Sequence, residues 1–169
     1  MSSNETGNKQ RSRTIVWEDP SISTRDAHSI SGLDYLRAIK KGEIAPPPIA
    51  RLLGYNISEI DTGLAVFELE PAEYHYNPFG TVHGGIASTL LDTTMTAAVL
   101  STLPRGAQCS TIEIKVNFIL PIVSKTGIVR CKAKTIHVGN RIATAEGKLV
   151  DKQEKLYAHA VSTCMIFQR

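Results

Sequence analysis

From Gly84 to Leu103 the chain carries a single charged residue, Asp92, in a segment otherwise built of apolar and small hydroxyl side chains. A helix that is apolar around its whole circumference belongs in a protein interior. Burying an ionised carboxylate without partners costs several kcal/mol. Asp92 therefore either has compensating partners or opens onto a wet cleft. Ser88, Thr89, Asp92 and Thr96 fall at helical spacing on one face, with Gly85 one turn earlier. A carboxylate beside hydroxyls can act as a base or as a nucleophile. On spacing alone, a satisfied carboxylate that fixes packing fits as well. A membrane span is the other reading of so apolar a run, but five threonines, two serines and the midpoint aspartate speak against it.

The stretch before this segment supplies complementary groups. Asn77-Pro78 favours a turn, and Gly80 and the Gly84-Gly85 pair let backbone approach a ligand closely. The free N–H groups at a helix start carry partial positive charge and can hold a developing oxyanion. His83 beside them is able to donate, accept or simply pack, and alone it decides nothing. Asn77, His83, Gly84 and Asp92 taken together are far more specific.

The block NPFGTVHGGIASTLLDTTMTAAVLSTLP resembles the PaaI-like hotdog thioesterases, whose pattern is N-P-x-G-x-x-H-G-G with an acidic residue nine positions after the histidine. The resemblance extends through GLDYLRAIKKGEIAPPPIARLLGYNI upstream and STIEIKVNFILPI, HVGNRIATAEGKLV and AHAVSTCMI downstream, about Ile30 to Phe167. It implies an antiparallel sheet wrapped around one long helix, a homodimer or homotetramer, and hydrolysis of acyl-CoA thioesters without a cofactor. It also implies roles. Asp92 would be general base or nucleophile, the Gly84 N–H would polarise the thioester carbonyl, Asn77 would help place water or thioester, and His83 would orient that loop. Thr111 matches a hydroxyl that assists the attacking water in some relatives. Ser110 would replace it if the register shifts by one, and Thr96 stands where some relatives with a glutamate use a threonine. Gly85 would accompany Gly84 at the substrate. The turn Val138-Gly139-Asn140 precedes Arg141, and the similar turn in relatives lies near the CoA nucleotide. Asn140, Arg141 and, on the adjoining strand, Lys134 are therefore the candidates for that end of the substrate.

The helix itself imposes a constraint. Gly84 and Asp92 are eight residues apart, about 12 Å along an ideal axis. A base and an oxyanion donor must each reach within about 3 Å of the reacting groups. One helix spans that poorly. Two antiparallel helices at a two-fold interface would set Gly84 of one subunit against Asp92 of the other, and the resemblance implies the same shared site.

The elements around this helix read as follows. Ser31 and Asp34 form a capping box, Leu33, Leu36 and Ile39 share a helix face, and Gly42 can stop the helix. Pro46-Pro47-Pro48 reads as an extended linker, followed by strand-like stretches Ile49–Ile60 and Leu64–Leu69. After Pro104 the period becomes two: Ile112 to Leu120, Val129 to Lys134, Arg141 to Val150 and Lys155 to Phe167. Strands gathered at the end without intervening helices predict an α+β arrangement of antiparallel sheet on one helix, with one extra N-terminal helix, rather than βαβ units. Residues 1–26 lack periodicity and read as a mobile arm, leaving residues 27–169 as one domain.

Composition narrows the function further. With 169 residues, 42% hydrophobic and 21% charged, the chain fits one soluble domain. A net charge of +3 is too small to argue for nucleic acid. Its basic residues concentrate after Lys115, where they read as a solvated sheet face or as partners of a phosphorylated ligand. Cys109, Cys131 and Cys164 form no CxxC, and their odd number reads as thiols in a reducing, cytoplasmic compartment. The polar N-terminus has no apolar signal region. No metal cluster, GxSxG elbow, GxGxxG or Walker A pattern is present. A thioester is activated enough that water needs only a base and an oxyanion donor. The chief alternative is a non-catalytic acyl-CoA sensor on the same fold. A sensor would be expected to lose the acid and to carry a DNA-binding helical domain, whereas only one helix is expected before Pro46. A dehydratase on this fold would need an acid/base pair elsewhere, and the sequence shows none.

Overall fold

The computed structural model describes residues 10–168. Six strands form one antiparallel sheet: β1 (Tyr55–Asp61), β2 (Leu64–Leu69), β3 (Ala107–Phe118), β4 (Val129–Val138), β5 (Ile142–Val150) and β6 (Leu156–Gln168). Their order is β1-β2-β4-β5-β6-β3, which leaves β1 and β3 as edges. Alternation along the chain becomes two faces. On β4, Val129, Cys131 and Ala133 are buried while Arg130, Lys132 and Lys134 turn outward.

The inner face wraps the long helix α4 (Gly84–Leu100), which touches all six strands. Small residues make this close fit possible. Ala65, Ala133, Ala143, Ala145, Ala158 and Ala160 are all buried on the sheet. At Gly147 a Cβ would already stand 3.1 Å from Met95 Cγ and 3.3 Å from Leu91 Cδ2. Leu90, Leu91, Met95 and Val99 on the helix are essentially fully buried, each stabilising by about 1.5–3 kcal/mol. Hydroxyls on α4 are absorbed internally: Ser88 donates to Gly84 O, Thr89 to Gly85 O and Thr94 to Leu90 O. This is the α+β hotdog arrangement that the sequence predicts.

The N-terminal third differs from expectation in two places. The expected helix is present as α2 (Gly32–Lys41), capped by Ser31, whose hydroxyl accepts from Asp34 N, and stopped by Gly42 at φ 78°. It is preceded by α1 (Pro20–Ser29), so the arm boundary placed at residue 26 falls inside a helix, and two helices rather than one precede Pro46. The signal was Asp19-Pro20: Asp19 caps Ser21 N at 2.9 Å and Pro20 occupies the first turn. Then α3 (Pro48–Leu53) occupies the start of the stretch read as strand from Ile49. Pro48 opens this helix instead of extending a linker, and Gly54 at φ 81° closes it. Residues 1–9 of the expected arm lie outside the described residues. Helix α2 meets the end of α4 at Gly32, whose N–H donates to Leu103 O at 3.1 Å and where a Cβ would fall 1.9 Å from Leu100 O.

Candidate active site

The loop ahead of α4 is organised by Asn77. Its Oδ1 accepts from Phe79 N at 2.9 Å and Thr81 N at 3.3 Å, and its Nδ2 donates to Thr81 Oγ1 at 3.0 Å. Asn77 thus closes the turn through which Gly80 passes at φ 78°. Val82 N donates to Ile122 O, and His83 N donates to His75 O, both at 2.8 Å. His83 then caps α4: its Nδ1 accepts from Gly85 N at 2.8 Å. That consumes the Gly85 donor. The neighbouring Gly84 N–H has no acceptor among the described residues and no helical partner upstream. It is the free donor at the positive end of the helix. The Phe118 ring stands over it, 3.2 Å from where a Gly84 Cβ would be.

His75 carries this loop from behind. It is 2% exposed. Its Nδ1 accepts from Ala72 N at 3.1 Å, which leaves Nε2–H to donate to Leu53 O at 2.9 Å. Burial lowers its pKa most, and the Arg13 charge lowers it further, against the raising effect of the Leu53 bond. Arg13 itself donates to the Arg51 and Leu52 carbonyls at the end of α3 and stacks on Tyr74, 4.1 Å from the ring centroid.

Two turns along α4, Asp92 is half-buried. Thr111, on β3, donates its hydroxyl to Asp92 Oδ1 at 2.7 Å, and Thr96 Oγ1 lies 3.0 Å from Thr111 Oγ1. No other hydrogen bond to the carboxylate is made among the described residues, so Oδ2 is free. Of the three hydroxyls left open by the sequence, Thr111 makes the direct contact, Thr96 stands behind it, and Ser110 faces the same cavity without touching the acid.

That cavity measures about 910 Å³. Asp92, Thr93 and Thr96 enter from α4 and Cys109, Ser110 and Thr111 from β3. Much of the remaining wall comes from residues 35–57, in α2, α3 and β1. Tyr55 is buried there beside Thr93 and Asp92, its hydroxyl without a hydrogen-bond partner among the described residues. Burial pushes the Tyr55 phenol up. Cys109 is held as a thiol, raised by its contact with the Cys164 thiol and by burial, and burial pushes Cys131 up to about 12. Neither is poised as a nucleophile.

The structure thus gathers Asp92, Thr96, Ser110 and Thr111. It sets Asn77, His83, Gly84 and Gly85 at the opposite end of the helix, outside that cavity. None of the nucleotide candidates lines that cavity. Asn140 and Arg141 are exposed on the β4–β5 turn, and Lys134 is ion-paired with Glu146 at 3.1 Å. Sequence reasoning did not single out His75, Tyr55, Lys40 or Arg51; only their surroundings in the folded chain distinguish them. Among the described residues, no group of His, Cys, Asp and Glu could hold a metal, and no helix is long and apolar enough to cross a membrane.

Residues 79–158 match the thioesterase superfamily. The chain is 31% identical to a phenylacetic acid degradation-related protein from Ralstonia eutropha JMP134, with a TM-score of 0.71, covering 78% of this chain and 98% of that one. It is 29% identical over 114 residues to the 1,4-dihydroxy-2-naphthoyl-CoA hydrolase of Listeria monocytogenes, covering 68% of this chain and 89% of that protein. The PaaI protein of Escherichia coli shares the fold at a TM-score of 0.70 and 23% identity, covering 82% of this chain and 96% of that one. The chain belongs to the thioesterase superfamily, among its PaaI-like hotdog members, and is a thioester hydrolase.

Proposed function

We propose that this protein hydrolyses an acyl-CoA thioester to free acid and CoA, by water attack assisted by Asp92 at a site shared between two subunits. The observation that carries this reading is the Thr96–Thr111–Asp92 chain of hydroxyls ending on a carboxylate with one free oxygen at a large cavity. Thr111 fixes Oδ1, so Oδ2 is presented to water as general base, or to the carbonyl carbon as nucleophile. The Gly84 N–H would receive the negative charge that develops on the thioester oxygen. Asn77 would act by shaping the loop and His83 by capping the helix, so that the Gly84 N–H stays unpaired. Relatives named for acyl-CoA hydrolysis support the substrate class.

The shared site is supported by geometry. Gly84 and Asp92 are two turns apart on one rigid helix, and only Asp92 opens on the cavity of its own chain. The edge strand β3 runs for twelve residues with no partner strand on its outer side among the described residues and exposes Ile112 and Phe118 at 57% each. An edge so long and apolar is a pairing surface. Two-fold pairing there would lay the α4 helices side by side and carry the partner's Gly84 towards Asp92. Arg141, exposed and without an ion pair among the described residues, is the residue assigned to the CoA nucleotide, ahead of Lys134, which pairs with Glu146.

A thiol-release assay over aryl-, short- and medium-chain acyl-CoAs, run beside Asp92→Asn, tests the reading. Asp92→Asn should lower kcat on the best substrate by a factor on the order of 10² or more. Turnover at the wild-type rate, with deamidation excluded, would remove Asp92 from the mechanism.

A further inference from the structure

The cavity at Asp92 has an uneven charge inventory. Asp92 is its one carboxylate, whereas two cations, Lys40 from the end of α2 and Arg51 from α3, also line it. Neither forms an ion pair with any described carboxylate. Their neighbours on α2 behave differently: Arg37 meets Asp61 at 3.3 Å and Lys41 meets Glu43 at 3.8 Å. The wall between them is apolar, with Leu36, Ile39, Ile49, Ala50 and Ile57 facing the same space. A cavity with oily walls, two unpaired cations and a carboxylate flanked by hydroxyls is built for an amphiphile with an anionic group. Both cations are exposed at the rim of this space, so their pull on an anion is open to screening by salt.

We propose that Lys40 and Arg51 form an anion clamp on the substrate, holding phosphate or carboxylate oxygens while the apolar part of the acyl group lies along α2 and α3. The inference deepens the acyl-CoA reading and rests on it for the choice of ligand. The shared chemistry is an oxyanion held by an ammonium and a guanidinium. Its source is either the phosphates of CoA or a carboxylate at the far end of the acyl group.

The test is equilibrium binding in the Asp92→Asn background, by titration calorimetry, comparing Lys40 and Arg51 intact with the double substitution Lys40→Ala/Arg51→Ala. Four ligands serve as probes: octanoyl-CoA, octanoyl-pantetheine, suberyl-CoA and suberyl-pantetheine. A tenfold or greater rise in Kd for both CoA ligands, with less than twofold for octanoyl-pantetheine, assigns the clamp to phosphate. The same rise confined to the two suberyl ligands assigns it to the acyl carboxylate. In either case the effect should shrink between 50 and 500 mM salt, as exposed charges are screened. Equal changes for all four ligands, or none, would overturn the clamp. Binding is read without turnover, so a wild-type chain that cleaves no acyl-CoA would sink the hydrolase reading and leave this result separate. Circular dichroism of the double variant checks that α2 and α3 persist, and Lys40→Arg/Arg51→Lys should restore most of the affinity.

Discussion

Thr111 Oγ1 donates to Asp92 Oδ1 at 2.7 Å, a bond between edge strand β3 and central helix α4 that joins residues nineteen positions apart. It orients the carboxylate and leaves one oxygen uncommitted. Thr111→Ser keeps the hydroxyl and should retain most of kcat, whereas Thr111→Val should lower it about tenfold with KM little changed. Steady-state thiol release on both variants checks this. Equal rates for Ser and Val would mean that the hydroxyl does not act on the acid.

Shared sites complement one another in hybrids. On the proposed two-subunit site, the Asp92→Ala and Asn77→Ala proteins should both be weak alone, and mixing them after dissociation and reassociation should restore part of the activity. Sedimentation fixes the assembly state beforehand. A fully active monomer contradicts the arrangement.

Gly32 has no room for a side chain, since a Cβ would fall 1.9 Å from Leu100 O. Backbone cannot yield as a flexible side-chain tip can. Gly32→Ala should therefore destabilise by about 3 kcal/mol, seen as a lower denaturation midpoint with unchanged slope. A midpoint at the wild-type value would show that α2 shifts freely on α4.

Tyr55 buries a hydroxyl that has no hydrogen-bond partner among the described residues, beside Thr93. Leaving such a group unpaired is costly, so Tyr55→Phe should be neutral or stabilising by up to about 1 kcal/mol, raising Tm by roughly 2–4 °C in a chain of this size. A drop in Tm would reveal a hydrogen bond made in solution.

His75 is neutral and buried with its pKa lowered from 6.5 by burial, and its Nδ1 accepts from Ala72 N. The unfolded chain takes up a proton near pH 6.5 that the native ring refuses until lower pH. Stability from this group is therefore complete above 6.5 and lost as pH falls through the lowered native value. Thermal melts from pH 7.5 to 5 should lose Tm more steeply for the wild type than for His75→Gln. Parallel curves would mean that His75 does not titrate in this window.

Much of this architecture is legible in the residues. The alternation of β4 and the apolar run of α4 declare the sheet and the helix, and the lone acid of α4 marks the candidate site, without any structure. The failures are equally physical. Pro46-Pro47-Pro48 stiffens a chain in either of two ways, and only the seat of Pro48 at the first turn of α3 shows which one was taken. Asp19-Pro20 is a helix start in a segment with too few apolar residues to show a period. His75 and Gly32 matter through Leu53 O and Leu100 O, backbone atoms that no side-chain pattern announces.

The wall of the cavity formed by residues 35–57 lies outside the stretch 79–158 that matches the superfamily, whereas Asp92 and Thr111 lie within it. On the proposed function, the residues that would meet the acyl group and those that would cleave the thioester thus fall in separate passages of the sequence. Grafting residues 35–57 from a relative onto this chain should move its acyl preference towards the donor's and keep the same carboxylate at work.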